Sequence, residues 1–167
     1  MQLDELLTRG VAEITVARSV QARLESGKKL RLKQGFDPTR PHMHVGHCVG
    51  LRKLRAFQEL GHQVVLIIGD WTAQIGDPSG RDTGRSRLDA ETVAENAKTY
   101  MQQFFTIVDS SRTEVRWQSE WYGSFRLEQA LGLLGRFTLA QILAHETFRK
   151  RHDAGAPLSL LELMYPI

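Results

Sequence analysis

Hydrophobic periodicity divides the first part of the chain into short helices and a strand. Residues 3–7 and 16–24 are amphipathic at helical spacing, which predicts two surface helices, and Thr15 is placed to cap the second. Residues 30–36 alternate apolar and polar side chains until Gly35 interrupts the pattern. This alternation predicts a strand that ends in a turn.

A helix and a second strand follow at once. Residues 46–60 place their apolar side chains on one helical face, and Gly61 provides a C-terminal stop. Residues 64–68 are uniformly apolar, as in a parallel strand that is covered on both faces. The result is a right-handed βαβ unit, whose ligands bind beyond the carboxyl ends of the strands. Asp37 and Asp70 follow those two ends.

The second half of the chain is predicted to be mainly helical. Residues 69–87 are rich in Gly, Asp, Ser and Arg, which predicts a long irregular loop of functional importance. Asp89 then caps a helix with a buried stripe at helical spacing. The stripe consists of Val93, Ala97, Tyr100, Met101, Phe104 and Val108. A strand at 114–118 and helices at 127–134 and 139–151 complete the pattern.

The last residues carry the start signal of a helix, but only a few residues follow it in this sequence. Ser159 and Glu162 form the sequence pattern of a capping box, yet the sequence stops five residues later on bare apolar side chains. A helix of about nine residues is marginal by itself. We therefore expect the chain to be the truncated front part of a larger domain.

Composition narrows the class of protein only modestly. Hydrophobic residues make up 41% and charged residues 25%, as in a soluble globular domain, and the net charge of +3 is compatible with an anionic partner. Cys48 is the one cysteine, so no internal disulfide forms, which favours the cytoplasm. The longest apolar run is five residues, far short of the roughly 20 that span a bilayer.

The densest cluster of chemistry lies between the first strand and its helix. The segment 35–39 reads Gly-Phe-Asp-Pro-Thr, and residues 44–47 read His-Val-Gly-His at the mouth of the helix. A helix N-terminus attracts phosphate through its free N–H groups and its dipole, and imidazoles there add further donors. Gly46 leaves room for a flat base. These features predict a site for a nucleoside triphosphate.

These motifs carry a family resemblance. Residues 44–47 resemble the His-x-Gly-His signature of class I aminoacyl-tRNA synthetases, which small nucleotidyltransferases also carry. Together with 35–39 and with the Gly-Asp-Pro-Ser-Gly-Arg segment at 76–81, they resemble the bacterial-type tyrosyl-tRNA synthetases. The tryptophanyl enzymes share the first signature but not the 76–81 segment. The similarity implies an α/β fold with a Rossmann-like doubly wound parallel sheet and the start of a helical connecting insertion.

The resemblance also implies a reaction and its residues. Tyrosine carboxylate would attack the α-phosphate of ATP, bound with Mg²⁺, and the tyrosyl group would then pass to tRNA(Tyr). The implied ATP contacts are Asp37, Pro38, Thr39, His44, Gly46 and His47. Of these, Thr39, His44 and His47 would act on the phosphates together with Arg81 and Arg85 from the long loop. Asp77, Tyr165 and Asp70 would bind tyrosine.

The same resemblance implies the organisation of the whole enzyme. It gives an N-terminal helical segment at 1–29, the first part of the nucleotide-binding domain at 30–89, and the connecting insertion with the next helix at 90–167. It further implies a homodimer built around the insertion, and a lysine-rich ATP loop that lies beyond residue 167. No protein-bound metal is expected, because His42 to Cys48 lack the spaced pairs of a zinc site.

Two alternatives from other classes stay open at this stage. A small nucleotidyltransferase would keep the nucleotide site and ignore both tyrosine and tRNA. A non-catalytic remnant of a synthetase would bind RNA or protein without activating an amino acid.

Overall fold

A three-stranded parallel sheet organises the computed structural model, which describes residues 3–77 and 88–167. The strands are β1 (Arg31–Phe36), β2 (Gln63–Ile68) and β3 (Thr113–Trp117), and they lie in the order β1-β2-β3. Their register brings Phe36, Ile68 and Trp117 side by side, so all three carboxyl ends meet at one edge of the sheet. The predicted βαβ unit and the later strand are confirmed.

Ten helices are assigned among the described residues. They are α1 (Leu3–Thr8), α2 (Ala17–Glu25), α3 (Val45–Glu59), α4 (Thr72–Ile75), α5 (Ala90–Phe104), α6 (Ser119–Tyr122), α7 (Leu127–Leu134), α8 (Leu139–Leu143), α9 (Glu146–Asp153) and α10 (Leu160–Leu163). A 3₁₀ turn at Ser110–Arg112 precedes β3. The helical character predicted for the second half is confirmed.

The core lies between one face of the sheet and the two long helices. Alternate residues of β2 contribute Val64, Leu66 and Ile68, which are all buried. Leu51 and Leu54 from α3 join the same cluster, as do Ala97, Tyr100 and Phe104 from α5. Crossovers of one hand that advance in one direction put successive helices on the same face of a sheet, and α3 and α5 both contribute to this one cluster. Five of the six predicted stripe residues of α5 are buried, and Met101 is half-buried.

The α/β class with a parallel sheet is confirmed. Within the described residues the strand order advances in one direction only, from β1 to β3. The reversal of strand order that characterises a doubly wound sheet does not occur among these strands.

One predicted helix proves to be two. Residues 139–151 were expected to form a continuous helix, whereas the chain leaves the helical conformation at His145, between α8 and α9. The phase of the apolar side chains explains the break. Phe148 follows Leu143 by five residues, which in a continuous helix would turn it about 140° away from that side chain. The break lets Phe148 become almost completely buried.

Two smaller expectations also need correction. Thr15 does not cap α2, because the carbonyl of Val16 accepts the first bonds of the helix, from the N–H groups of Ser19 and Val20. The segment 69–87 was expected to be irregular, yet its first part contains the single turn of α4. Residues 78–87 lie outside the described residues. No described helix combines the length and the apolar character needed to cross a lipid bilayer.

Candidate active site

The residues that follow the three strands form a hydrogen-bonded cluster. Asp37 follows β1, Gly69 follows β2 and Gln118 follows β3. Thr72 of α4 connects them: its Oγ1 donates to Oδ1 of Asp37 at 2.7 Å, and its backbone N–H donates to Oε1 of Gln118 at 3.0 Å. The short helix missed in the sequence therefore ties the ends of two strands together.

Gly69 permits this close approach. A Cβ on Gly69 would overlap both the Asp37 carboxylate and the Thr72 hydroxyl. The same glycine donates its backbone N–H to the carbonyl of Phe36 at 2.8 Å, which continues the pairing of β1 and β2 by one residue. A residue without a side chain is therefore required at the centre of the cluster.

Tyr165 completes the environment of Asp37. Its hydroxyl donates to Oδ2 of Asp37 at 2.7 Å, while Oδ1 accepts from Thr72. The carboxylate thus links β1, α4 and the residues after α10. Hydrogen bonds to a charged acceptor are about twice as strong as neutral ones, so this arrangement fixes the Tyr165 side chain at the edge of the sheet.

Two stacked imidazoles mark the N-terminus of α3. The backbone N–H of His44 donates to Nδ1 of His47 at 3.1 Å, and the two ring centroids are 3.9 Å apart. Burial and the neighbouring His44 lower the pKa of His47, which favours the neutral ring. Because Nδ1 accepts a hydrogen bond, the proton of the neutral ring resides on Nε2, which is left as a donor.

The ring of His47 is held from two further elements. Phe36 at the end of β1 and Tyr100 on α5 approach it with centroid distances of 6.0 and 5.9 Å. The imidazole is therefore oriented by the sheet and by α5 before any ligand arrives. Such preorganisation is what electrostatic stabilisation of a reacting phosphate requires.

Gly46 has a different neighbour from the one expected. A Cβ at this position would lie 2.9 Å from the His44 ring, so the glycine makes room for that imidazole. The space predicted for a flat base is filled by His44 in this conformation.

A cavity of about 730 Å³ lies against these groups. It brings together six of the residues singled out in the sequence: Asp37, Thr39, His44, His47, Asp77 and Tyr165. The cavity is also lined by polar residues that sequence reasoning missed, namely Gln34, Arg40, His42, Thr72 and Gln118. Gln118 and Thr72 could have been predicted from the sequence as site residues, since both come shortly after strands, at the edge where ligands bind in parallel sheets.

Three described positions among the predicted ones, Pro38, Gly46 and Asp70, do not line this cavity. Pro38 is buried, and its carbonyl accepts from Nδ2 of Asn96 at 3.0 Å. Oδ1 of Asp70 accepts from the backbone N–H of Ser119 at 3.0 Å, at the start of α6. Arg81 and Arg85 lie outside the described residues.

Arg40, His42 and the two stacked imidazoles line the cavity near the N-terminus of α3, where the dipole of a 15-residue helix adds positive potential. Carboxylates from Asp37 and Asp77 lie in the same cavity. The cavity therefore contains both basic and acidic side chains. Among the described residues, no group of three or more His, Cys, Asp or Glu side chains is arranged to hold a metal ion.

The sheet is parallel, its cavity lies beyond the carboxyl strand ends, and a His-x-Gly-His segment opens the first crossover helix. This is the arrangement that the resemblance to the class I synthetases implies. Residues 25–167 match the family described as tRNA synthetases class I (W and Y), and the chain belongs to that family.

Individual relatives agree with this assignment. The chain is 60% identical to the tyrosine–tRNA ligase of Dehalococcoides mccartyi (strain CBDB1) over 166 residues, which cover 99% of the chain and 42% of that enzyme. It is 47% identical to the tyrosine–tRNA ligase of Xanthomonas euvesicatoria, covering 97% of the chain and 40% of that enzyme. The chain thus spans less than half the length of these relatives.

A solved structure shows the same fold. The crystal structure of a C-terminally truncated mitochondrial tyrosyl-tRNA synthetase from Aspergillus nidulans superposes with a TM-score of 0.73 at 25% identity. The match covers 89% of this chain and 46% of that one. The α/β architecture of the described residues is therefore that of a synthetase catalytic domain.

Proposed function

We propose that this chain carries the ATP and tyrosine sites of a tyrosine–tRNA ligase. In the proposed first step, a carboxylate oxygen of tyrosine attacks the α-phosphorus of ATP, and the bond to the departing pyrophosphate breaks. The tyrosyl group then passes from the adenylate to the terminal ribose of tRNA(Tyr). The observation that carries the proposal is the convergence of Thr39, His44 and His47 with Asp77 and Tyr165 in one cavity.

The ATP half of the site is proposed to lie at the N-terminus of α3. The Nε2–H of His47, together with Thr39 and Arg40, would donate to the phosphates where negative charge grows during the attack. A preorganised donor of this kind contributes about 3–4 kcal/mol to a transition state. Arg81 and Arg85 would close over the leaving pyrophosphate, and Mg²⁺ would enter as the counter-ion of ATP.

The tyrosine half is proposed to lie at the edge of the sheet. The Asp77 carboxylate would be the countercharge for the substrate ammonium group, and the Tyr165 hydroxyl would lie beside it. Asp70 is a third proposed contact, although its carboxylate already accepts from Ser119 in this conformation. The names of the 60% and 47% identical relatives support tyrosine over tryptophan.

The partners of the longer protein follow from the same proposal. They are tRNA(Tyr) and a second copy of the protein, in the cytoplasm. An apolar groove of about 240 Å³ supports a subunit contact: it runs from Trp71 past Phe125 and Leu127 to Met164. Trp71, Phe125, Leu127 and Met164 are all exposed, and a contiguous exposed apolar patch marks an interaction site.

Pyrophosphate exchange tests the proposed activity in the protein that carries this chain at its full natural length. We expect labelled pyrophosphate to enter ATP only when tyrosine is present. His47→Ala should lower the exchange rate by about 100-fold or more, as removal of a preorganised donor does. His152→Ala is the matched control, because that histidine is exposed on α9.

Three results would contradict the proposal. Exchange that depends on tryptophan would move the chain to the other branch of the family. ATP turnover that ignores amino acids would favour a nucleotidyltransferase. RNA binding without any exchange would favour a non-catalytic remnant.

A further inference from the structure

A buried ion pair holds α10 against α9. Arg151 on α9 is only 6% exposed, and its Nη1 lies 3.0 Å from Oε1 of Glu162 on α10. Nη2 of the same guanidinium donates to the carbonyl of Pro157 at 2.5 Å. One arginine therefore holds both the connection between the helices and the second helix.

Glu162 uses its other oxygen to start α10. Oε2 accepts from the backbone N–H of Ser159 at 3.0 Å, and Oγ of Ser159 accepts from the backbone N–H of Glu162 at 3.1 Å. This is the capping box that the sequence predicted. Because α10 has only four residues, it is far too short to be stable by itself, and its position depends on such contacts.

The same short helix delivers Tyr165 to the cavity. The backbone N–H of Tyr165 donates to the carbonyl of Glu162 at 3.1 Å, directly beyond the last turn. The Tyr165 hydroxyl then reaches Asp37 at 2.7 Å. Only three positions along the chain therefore separate Glu162, which forms the ion pair, from Tyr165, which lines the cavity.

From these contacts we infer that Arg151 and Glu162 are positioning residues for Tyr165. Their ion pair sets where the Tyr165 hydroxyl lies in the cavity, and through it the affinity for the ammonium group of the amino-acid substrate. The part that concerns the substrate rests on the proposed function. Neither residue lines the cavity, so both act through Tyr165 and not on the ligand.

The cost of the pair supports a role in placement. The Nε atom of Arg151 is buried and, within the part of the chain that the structure describes, has no hydrogen-bond partner. Buried ion pairs with incomplete hydrogen bonding add little net stability, and apolar side chains of similar size often serve as well. The ion pair is directional, so it can fix the position of the short helix α10, which apolar packing alone would not do.

Fluorine NMR on the chain tests the placement directly. The sequence contains three tyrosines, so labelling with 3-fluorotyrosine gives three signals, and Tyr165→Phe identifies the one of interest. Glu162→Gln keeps a capping-box side chain but loses the charge that binds Arg151. Glu146→Gln is the matched control, because it removes an exposed ion pair with Lys150 on α9, the helix that carries Arg151.

We expect Glu162→Gln to shift or broaden the Tyr165 signal and Glu146→Gln to leave it unchanged. Arg151→Lys provides a second variant that keeps the charge but replaces the forked guanidinium with a single ammonium group. A Tyr165 signal that stays in place in both folded variants would overturn the inference.

Ligand binding separates placement from general stability. We expect both variants to weaken L-tyrosine binding by about tenfold, the loss of roughly one well-placed hydrogen bond, and to leave ATP binding within about twofold. Equal weakening of both ligands would indicate a merely structural role and would overturn the inference. If the unaltered protein at its full natural length binds no tyrosine, the proposed function fails, while the fluorine signal still decides the placement of Tyr165.

Discussion

Gly69→Ala is the sharpest single perturbation of the cluster at the sheet edge. The added Cβ overlaps the Asp37 carboxylate and the Thr72 hydroxyl, so one of these groups must move. Losing the 2.7 Å hydrogen bond between them removes a bond to a charged acceptor, which is worth about 1.5–3 kcal/mol. The backbone bond from Gly69 to Phe36 limits how far β2 can shift to relieve the overlap.

We therefore expect the free energy of unfolding in urea to fall by about 2 kcal/mol or more. Gly132→Ala is the matched control: apart from its chain neighbours and the backbone of its own helix, no atom lies within 4 Å of its Cβ position. Because Gly132 lies inside α7, that change should stabilise the chain by about 0.5–1 kcal/mol. Equal stability of Gly69→Ala and the unaltered chain would refute the reasoning.

Three further predictions concern stability. The pKa of His47 is lower in the folded chain than the unfolded value of 6.5, so the stabilisation that depends on its neutral ring is present above pH 6.5 and is lost as pH falls through the folded pKa. Unfolding curves from pH 7.5 to 5 should therefore show a smaller decline in the free energy of unfolding for His47→Gln than for the unaltered chain. An equal decline in both would contradict this prediction. Gln58→Leu leaves the backbone N–H of Asp109 without the acceptor it has at 2.8 Å, so urea unfolding should report a loss of about 1–3 kcal/mol, and a loss below 0.5 kcal/mol would argue against that role. Leu51→Ala empties a fully buried position of α3 and should cost about 2–5 kcal/mol in the same assay; a cost below about 1 kcal/mol would mean that the core is not packed as described.

Periodicity was sufficient for the elements that form the core. The continuous apolar run of β2 and the stripe from Val93 to Phe104 each have one favourable burial arrangement, so both were predicted within a residue or two. The capping signals at Asp89 and Ser159 were equally local, and both side chains accept the expected backbone bonds.

Tertiary contacts decided what local patterns missed. The five-residue spacing from Leu143 to Phe148 is visible in the sequence, but the burial of Phe148 that accompanies the break at His145 is a property of the folded chain. The turn of α4 is only four residues long, and Thr72 holds it through hydrogen bonds to Asp37 and Gln118, which lie 35 and 46 positions away in the chain. Its role at the site could not be predicted from the composition of that segment.

In the candidate site, too, local patterns predicted some residues, whereas others depend on tertiary contacts. His44 and His47 were predictable because a helix N-terminus after a parallel strand has a fixed relation to the sheet edge. The use of Asp37 as the partner of Tyr165 was not, since 128 positions separate the two residues. Sequence reasoning made Asp37 a nucleotide contact, which stays a prediction, and it did not foresee that the same carboxylate holds two side chains in place.

An ATP titration followed through histidine side chains tests the nucleotide site most directly. The chain contains six histidines, and ¹⁵N-labelled imidazoles report each ring separately. We predict that MgATP moves the His44 and His47 signals together and leaves His62 unchanged, because His62 is buried and its Nδ1 accepts from the backbone N–H of Leu30. Saturation with MgATP that leaves both the His44 and His47 signals in place would contradict a nucleotide site at the N-terminus of α3.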